Sequence, residues 1–258
     1  MDLFDLNGKV AIITGSTRGI GRAIAEGYAS LGARVVISSR KQPACEQVAA
    51  AINERCGNDC AVAIAASLSD KAGLQRMVDK TRQHFGQIDV LVCNAASNPH
   101  FGPSATLSDE QFRKTFDNNV LANHWLVTMV AAEMMERKSG AIILISSIGG
   151  LIGSNAIGAY NMSKAAELQM MRNFAVEFGP HNVRVNAILP GVIRTDFARA
   201  LWEDPAAEAT LRRTTPLRRI GEPDDIAGAA VFLATKAGAF MTGQGIVIDG
   251  GYTIGFER

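Results

Sequence analysis

The chain has 258 residues, of which 47% are hydrophobic and 20% charged, with a formal net charge of +1. That apolar share fills a core, and the length suits one α/β domain with a single large sheet. Near-balanced charge excludes a basic footprint for nucleic acid, and no apolar run reaches the roughly 18 residues that cross a bilayer.

The opening stretch MDLFDLNGKV lacks the basic-then-apolar layout of a secretion signal. The last residues, Phe256-Glu257-Arg258, are not a Ser-Lys-Leu-type address. A cytoplasmic protein is expected. Short β-branched runs then alternate with helix-length segments. The runs are Val10–Ile13, Arg34–Ile37, Ala61–Ile64, Ile88–Val92, Ala141–Ile145, Val183–Ile188 and Gly245–Ile248. Most are continuously apolar, as parallel strands covered on both faces are. Between the first two, Ile20, Ile24, Tyr28 and Leu31 recur at helical spacing. This alternation predicts one Rossmann-type doubly wound sheet of about seven strands across residues 1–258. The interval 191–222 breaks the rhythm. Pro205 and Pro216 cut it into short helices, and it reads as a lid over the substrate or an oligomer contact.

The first strand runs into Thr14-Gly15-Ser16-Thr17-Arg18-Gly19-Ile20-Gly21, which opens a helix. Glycines in that place let the backbone approach a pyrophosphate facing the helix N-terminus. The spacing Gly-x-x-x-Gly-x-Gly differs from the commoner Gly-x-Gly-x-x-Gly. NAD sites carry an acid about 20 residues beyond the loop, on the ribose 2′-hydroxyl. Here the second strand ends Ser38-Ser39-Arg40-Lys41, without an acid. Arg18, Ser39 and Arg40 suit a 2′-phosphate, so NADP(H) is expected in preference to NAD(H).

Cys45, Cys56, Cys60 and Cys93 accompany four scattered histidines without the clustering of a zinc site. Free thiols and no metal are the expectation. The fifth strand ends in Ser146-Ser147, at the edge where open α/β sheets bind ligands. Downstream, Tyr160 and Lys164 stand four apart and share one helix face. A free tyrosine titrates near pH 10. A neighbouring ammonium favours the phenolate and brings the group closer to working pH.

Taken in order, Thr14–Gly21, CNAAS at Cys93–Ser97, Ser147, Tyr160-x-x-x-Lys164, NVRVNAILPG at Asn182–Gly191 and VIDGG at Val247–Gly251 resemble the classical short-chain dehydrogenase/reductase family across essentially the whole chain. The resemblance implies a tetrad. Tyr160 is its proton donor and acceptor, Ser147 orients the substrate carbonyl, and Lys164 binds the nicotinamide ribose and lowers the tyrosine pKa. Asn119 holds a water of the proton relay. It further implies cofactor contacts from Leu68, Asn94, Pro190, Gly191, Ile193 and Thr195, in addition to the glycine loop. Three positions depart from the pattern: Ser67 replaces an Asp near the adenine, Ala96 a Gly, and His181 a docking Arg of acyl-carrier-protein reductases.

SSRKQ at Ser38–Gln42, NAASNPHFG at Asn94–Gly102 and the 191–222 insertion look like NADPH-dependent tetrameric carbonyl reductases. By that resemblance the substrate is an apolar ketone or aldehyde walled by Phe101, Ile148, Asn155, Phe197 and Trp202, and the molecule is a homotetramer. Each wall residue is equally open to a reading as core or interface. A 3-oxoacyl-carrier-protein reductase and a dinucleotide-binding regulator without turnover are the alternatives.

Overall fold

The computed structural model describes residues 3–57 and 59–255. Each predicted apolar run forms a strand: β1 Val10–Thr14, β2 Arg34–Ser38, β3 Ala61–Ala63, β4 Val90–Cys93, β5 Gly140–Ile145, β6 Val183–Pro190 and β7 Gly245–Ile248. Between them lie α1 Gly19–Ser30, α2 Gln42–Cys56, α3 Lys71–Phe85, α4 Asp109–Phe116, α5 Ala122–Glu136 and α6 Gly158–Phe178. After β6 come α7 Arg199–Trp202, α8 Pro205–Thr214 and α9 Pro223–Ala234. All strands pair in parallel in the order β3-β2-β1-β4-β5-β6-β7.

Strand side chains alternate between two buried layers, as the pleat requires. Ala11 and Ile13 of β1 face α1, α2 and α9, where Ile24, Ile52 and Ile226 are fully buried. Ile12 faces the opposite layer, with Met77 of α3, Leu126 of α5 and Met171 of α6. A sheet covered on both sides has no room for polar alternation, which explains the continuous apolar runs. The predicted strand at Ile88 starts two residues later, at Val90. Its forerunner Asp89 is buried because its carboxylate accepts the Val10 N–H at 3.0 Å.

The chain order reverses at β1, whose neighbours are β2 and β4. Divergent loops at such a switch point open a crevice beyond the carboxyl ends of the strands. Among the described residues no helix is long and apolar enough to cross a membrane.

Candidate active site

The crevice above β1 and β4 has a volume of about 1200 Å³. Its floor is the glycine loop. Gly15 adopts φ +67°, and a Cβ there would stand 2.9 Å from Asn94 Nδ2 and 3.1 Å from Ala95 Cα. At Gly21 a Cβ would stand 2.6 Å from the Gly15 carbonyl oxygen. Only glycine lets the loop, the turn after β4 and α1 close on one another. Helix α1 has neither a side-chain cap nor an acid in its first turn. Asp70, Ser108 and Asp204, by contrast, cap α3, α4 and α8. The uncapped N–H groups of α1 therefore fit a pyrophosphate, the anion that such an end takes.

Thr14, Gly15, Thr17, Arg18, Gly19, Ile20, Ser39, Arg40, Leu68 and Asn94 all line this crevice. Ser16 does not. Its hydroxyl donates to the Ile13 carbonyl at 2.7 Å and accepts the Ser38 N–H at 2.9 Å, stapling β1 to β2 beneath the loop. Asn94 is held by its amide, which donates to the Thr14 carbonyl at 2.8 Å. Thr14 Oγ1 in turn accepts the N–H groups of Asn94 and Ala95, both at 3.0 Å. At the far end Arg40 is exposed on the rim, whereas Arg18 is 3.1 Å from Asp196 across the crevice. The two arginines expected to act together thus start from different surroundings.

Ser147, Tyr160 and Lys164 line the crevice beside β5 and α6. Ser147 follows β5, and its hydroxyl accepts the Gly149 N–H at 3.0 Å. One turn of α6 separates Tyr160 from Lys164, whose Nζ is 5.5 Å from the phenol ring centroid. Burial pushes the Tyr160 phenol above its ordinary range; the Lys164 ammonium pulls it down, the Glu167 carboxylate pushes it up, and the Ser147 hydroxyl pulls it down again. Burial outweighs the lysine, so the tyrosine keeps its proton beyond its usual range. Lys164 is itself buried and donates to Glu167 Oε1 at 2.9 Å, to Glu167 Oε2 at 3.1 Å and to the Ile145 carbonyl at 2.9 Å.

Asn119 lies behind this group, fully buried, within a widened π-type turn at Asp117–Leu121 between α4 and α5. Such turns insert a residue into the helix and often mark functional sites. Asn119 Oδ1 accepts the Ser97 N–H at 2.8 Å, and Nδ2 donates to Ser163 Oγ at 3.0 Å. Its carbonyl accepts Asn123 Nδ2 at 2.7 Å. Asn119 thereby locks the turn after β4 to α6 rather than lining the crevice.

Pro190, Gly191, Ile193 and Thr195 line the crevice where β6 ends, facing the glycine loop. The following segment is pinned at its base, where Arg194 N–H donates to the Gly221 carbonyl at 2.8 Å and Gly221 N–H to Val192 at 3.1 Å. Its Phe197 ring stands 5.8 Å from that of Tyr160. Phe101 and Ile148 line the same mouth, whereas Asn155 and Trp202 do not. The Trp202 indole donates to the Thr195 carbonyl at 3.3 Å, and Arg194 stacks on its ring at 4.9 Å. It braces the segment from within. Sequence reasoning passed over Glu167. The available signal was an acid three positions after Lys164, close enough on a helix to pair with it.

Residues 15–253 match the family model described as enoyl-(acyl carrier protein) reductase. Dehydrogenase/reductase SDR family member 4 of Homo sapiens is 40% identical over 247 residues, covering 95% of this chain and 88% of its own. The chain belongs to the classical short-chain dehydrogenase/reductase family. The family makes it an oxidoreductase and a binder of a nicotinamide dinucleotide. Among solved structures, a 7α-hydroxysteroid dehydrogenase complexed with NADH and 7-oxo glycochenodeoxycholic acid is 34% identical with a TM-score of 0.93, covering 100% of this chain and 98% of that one. A gluconate 5-dehydrogenase from Burkholderia cenocepacia, in complex with NADP and tartrate, is 30% identical with a TM-score of 0.93, covering 98% of each chain.

Proposed function

We propose that this short-chain dehydrogenase/reductase interconverts a ketone or aldehyde and its alcohol with NADP(H), through Ser147, Tyr160 and Lys164. The observation that carries the reading is their convergence with the glycine loop in one crevice. The loop and the α1 N-terminus would hold the pyrophosphate, Lys164 the nicotinamide ribose by exchanging one of its contacts to Glu167, and Ser39 with Arg40 a 2′-phosphate. A bound nicotinamide would supply or accept the hydride at the substrate carbon.

In reduction, the Tyr160 phenol donates its proton to the carbonyl oxygen while the Ser147 hydroxyl hydrogen-bonds to the same oxygen and stabilises its developing charge. A phenol protonated at neutral pH is in the right state to donate; in oxidation it must first ionise. Phe101, Ile148 and Phe197 line the crevice mouth and favour an apolar or mixed substrate. The hydroxysteroid and gluconate dehydrogenases among its relatives are consistent with secondary-alcohol chemistry. Residues 191–222 act as the lid of a single catalytic domain. A homotetramer in a reducing cytoplasm completes the reading; the four free cysteines accord with that compartment.

Tyr160→Phe tests the mechanism. Loss of a general acid typically slows turnover by about 10²–10⁴-fold. Reduction of a ketone and aldehyde panel that includes a 3-oxoacyl thioester should fall by that order, while NADPH still binds by fluorescence titration. Retention of most of the rate defeats the reading, and turnover of the thioester alone assigns the enzyme to acyl chemistry.

A further inference from the structure

Glu167 is a fully buried carboxyl that the catalytic reading above leaves unused. It lies two turns along α6 from Tyr160, with Lys164 between them. The Lys164 ammonium has three N–H donors, and three acceptors surround it: both Glu167 oxygens and the Ile145 carbonyl. A lysine ammonium is otherwise a mobile point charge on a flexible stem. Here two different elements, α6 itself and the end of β5, fix its position.

The surroundings of the pair are polar but carry no other charge. Asn123 of α5 points Nδ2 toward Glu167 Oε1 at 3.4 Å, and Ser146, just after β5, donates its hydroxyl to the Lys164 carbonyl at 3.0 Å. The titratable groups facing the pair are Tyr160 on the same helix and Cys93 at the end of β4. Burial pushes the Cys93 thiol far up, so it stays neutral. Glu167 is thus the only anion within reach of Lys164 among the described residues.

We propose that Glu167 is a positioning residue for the active site: its two carboxylate oxygens hold the Lys164 ammonium in place beside Tyr160 and offset part of its charge. The charges work in that sense, because the ammonium favours the phenolate and an anion close behind it disfavours the phenolate. Burial raises the Glu167 carboxyl to about 7, with Lys164, Ser146 and Asn123 pulling it back. Asn123 Oδ1 is buried without a donor.

The inference rests on Tyr160 and Lys164 being the reacting pair, but it can be tested without turnover. The chain has three tyrosines. Ultraviolet difference titration of phenolate, with the Tyr160→Phe counterpart of each protein subtracted, isolates the Tyr160 midpoint. In Glu167→Gln the midpoint should fall by about half a unit or more, as loss of a close like charge requires. Glu167→Leu, which fills the volume with an apolar group, carries the same expectation if the glutamine variant does not fold. Glu167→Asp keeps the charge and should keep the midpoint near the native one. A residue with only a packing role would lower thermal stability in both neutral variants and leave the midpoint in place. An unchanged or raised midpoint overturns the proposal. Retained turnover in Tyr160→Phe would overturn the catalytic reading instead, while the titration would still report on Glu167.

Discussion

At the residue scale, the proposed preference for NADP(H) rests on the end of β2. Arg40 is exposed on the crevice rim, and no carboxylate stands at the end of that strand. Arg18 is differently placed, because Asp196 and an anionic ligand would compete for the same guanidinium. Both partners of that pair are largely solvated, so the contact is weak and a phosphate can displace it. Arg40 is therefore the position that should decide between the two dinucleotides. Arg40→Asp removes a guanidinium and presents an acceptor to a ribose hydroxyl. A hydrogen bond to a charged group is worth about 1.5–3 kcal/mol, so the NADPH to NADH ratio of kcat/KM should fall by about 10-fold or more. An unchanged ratio in steady-state kinetics would remove Arg40 from the 2′-phosphate site.

At the element scale, the site depends on ties between elements far apart in the chain. The π-type turn before α5 brings Asn119 inward, and Asn119 then fastens Ser97 to Ser163. On the opposite layer, Tyr28 of α1 donates to the Ala230 carbonyl of α9 at 2.9 Å. Arg184 of β6 donates to the Leu233 carbonyl at 2.6 Å and to that of Gly238 at 2.9 Å, closing the C-terminal end of α9 onto the sheet. A cation at that end also meets the negative pole of the helix. Arg184→Met leaves these carbonyls short of donors and should cost about 2–4 kcal/mol, given ~1–3 kcal/mol for each buried polar group left unpaired. Urea unfolding would measure it as a lowered midpoint at unchanged slope. The Michaelis constant for cofactor should not move, since Arg184 lies outside the crevice lining.

At the scale of the whole molecule, β7 is an edge strand that pairs only with β6 among the described strands. Val176 on α6, Phe240, Val247 on β7 and Ile254 are all exposed. Exposed apolar side chains near an open strand edge are a liability in a lone subunit and suit a symmetric interface. Sedimentation should find the proposed tetramer, and Phe240→Asp should shift the population to smaller species. A variant that keeps the native size would exclude this face from the interface.

The seven strands were legible because parallel strands covered on both faces leave long apolar runs, and Val10–Thr14 and Val183–Pro190 are such runs. The glycine loop was legible for a similarly local reason. Close backbone approach needs glycine at Gly15 and Gly21, and the chain records that need directly. Tyr160 and Lys164 were visible together because helix geometry places them on one face without help from the rest of the fold. Local periodicity does not say what lies opposite a side chain. Ser16 looks like a phosphate ligand in sequence, yet its hydroxyl staples β1 to β2. Trp202 looks like a substrate wall, yet it braces the segment that carries it. The lysine beside Tyr160 promised a lowered phenol, but only the folded molecule supplies the burial that outweighs it, whereas the opposing Glu167 carboxylate stands on the same helix and was open to a reading of its spacing. Residue order was enough to specify the strands, the loop and the Tyr160–Lys164 pair, because their constraints act within one element. Tertiary structure alone decided the desolvation of that pair, because burial depends on which distant elements close over the site.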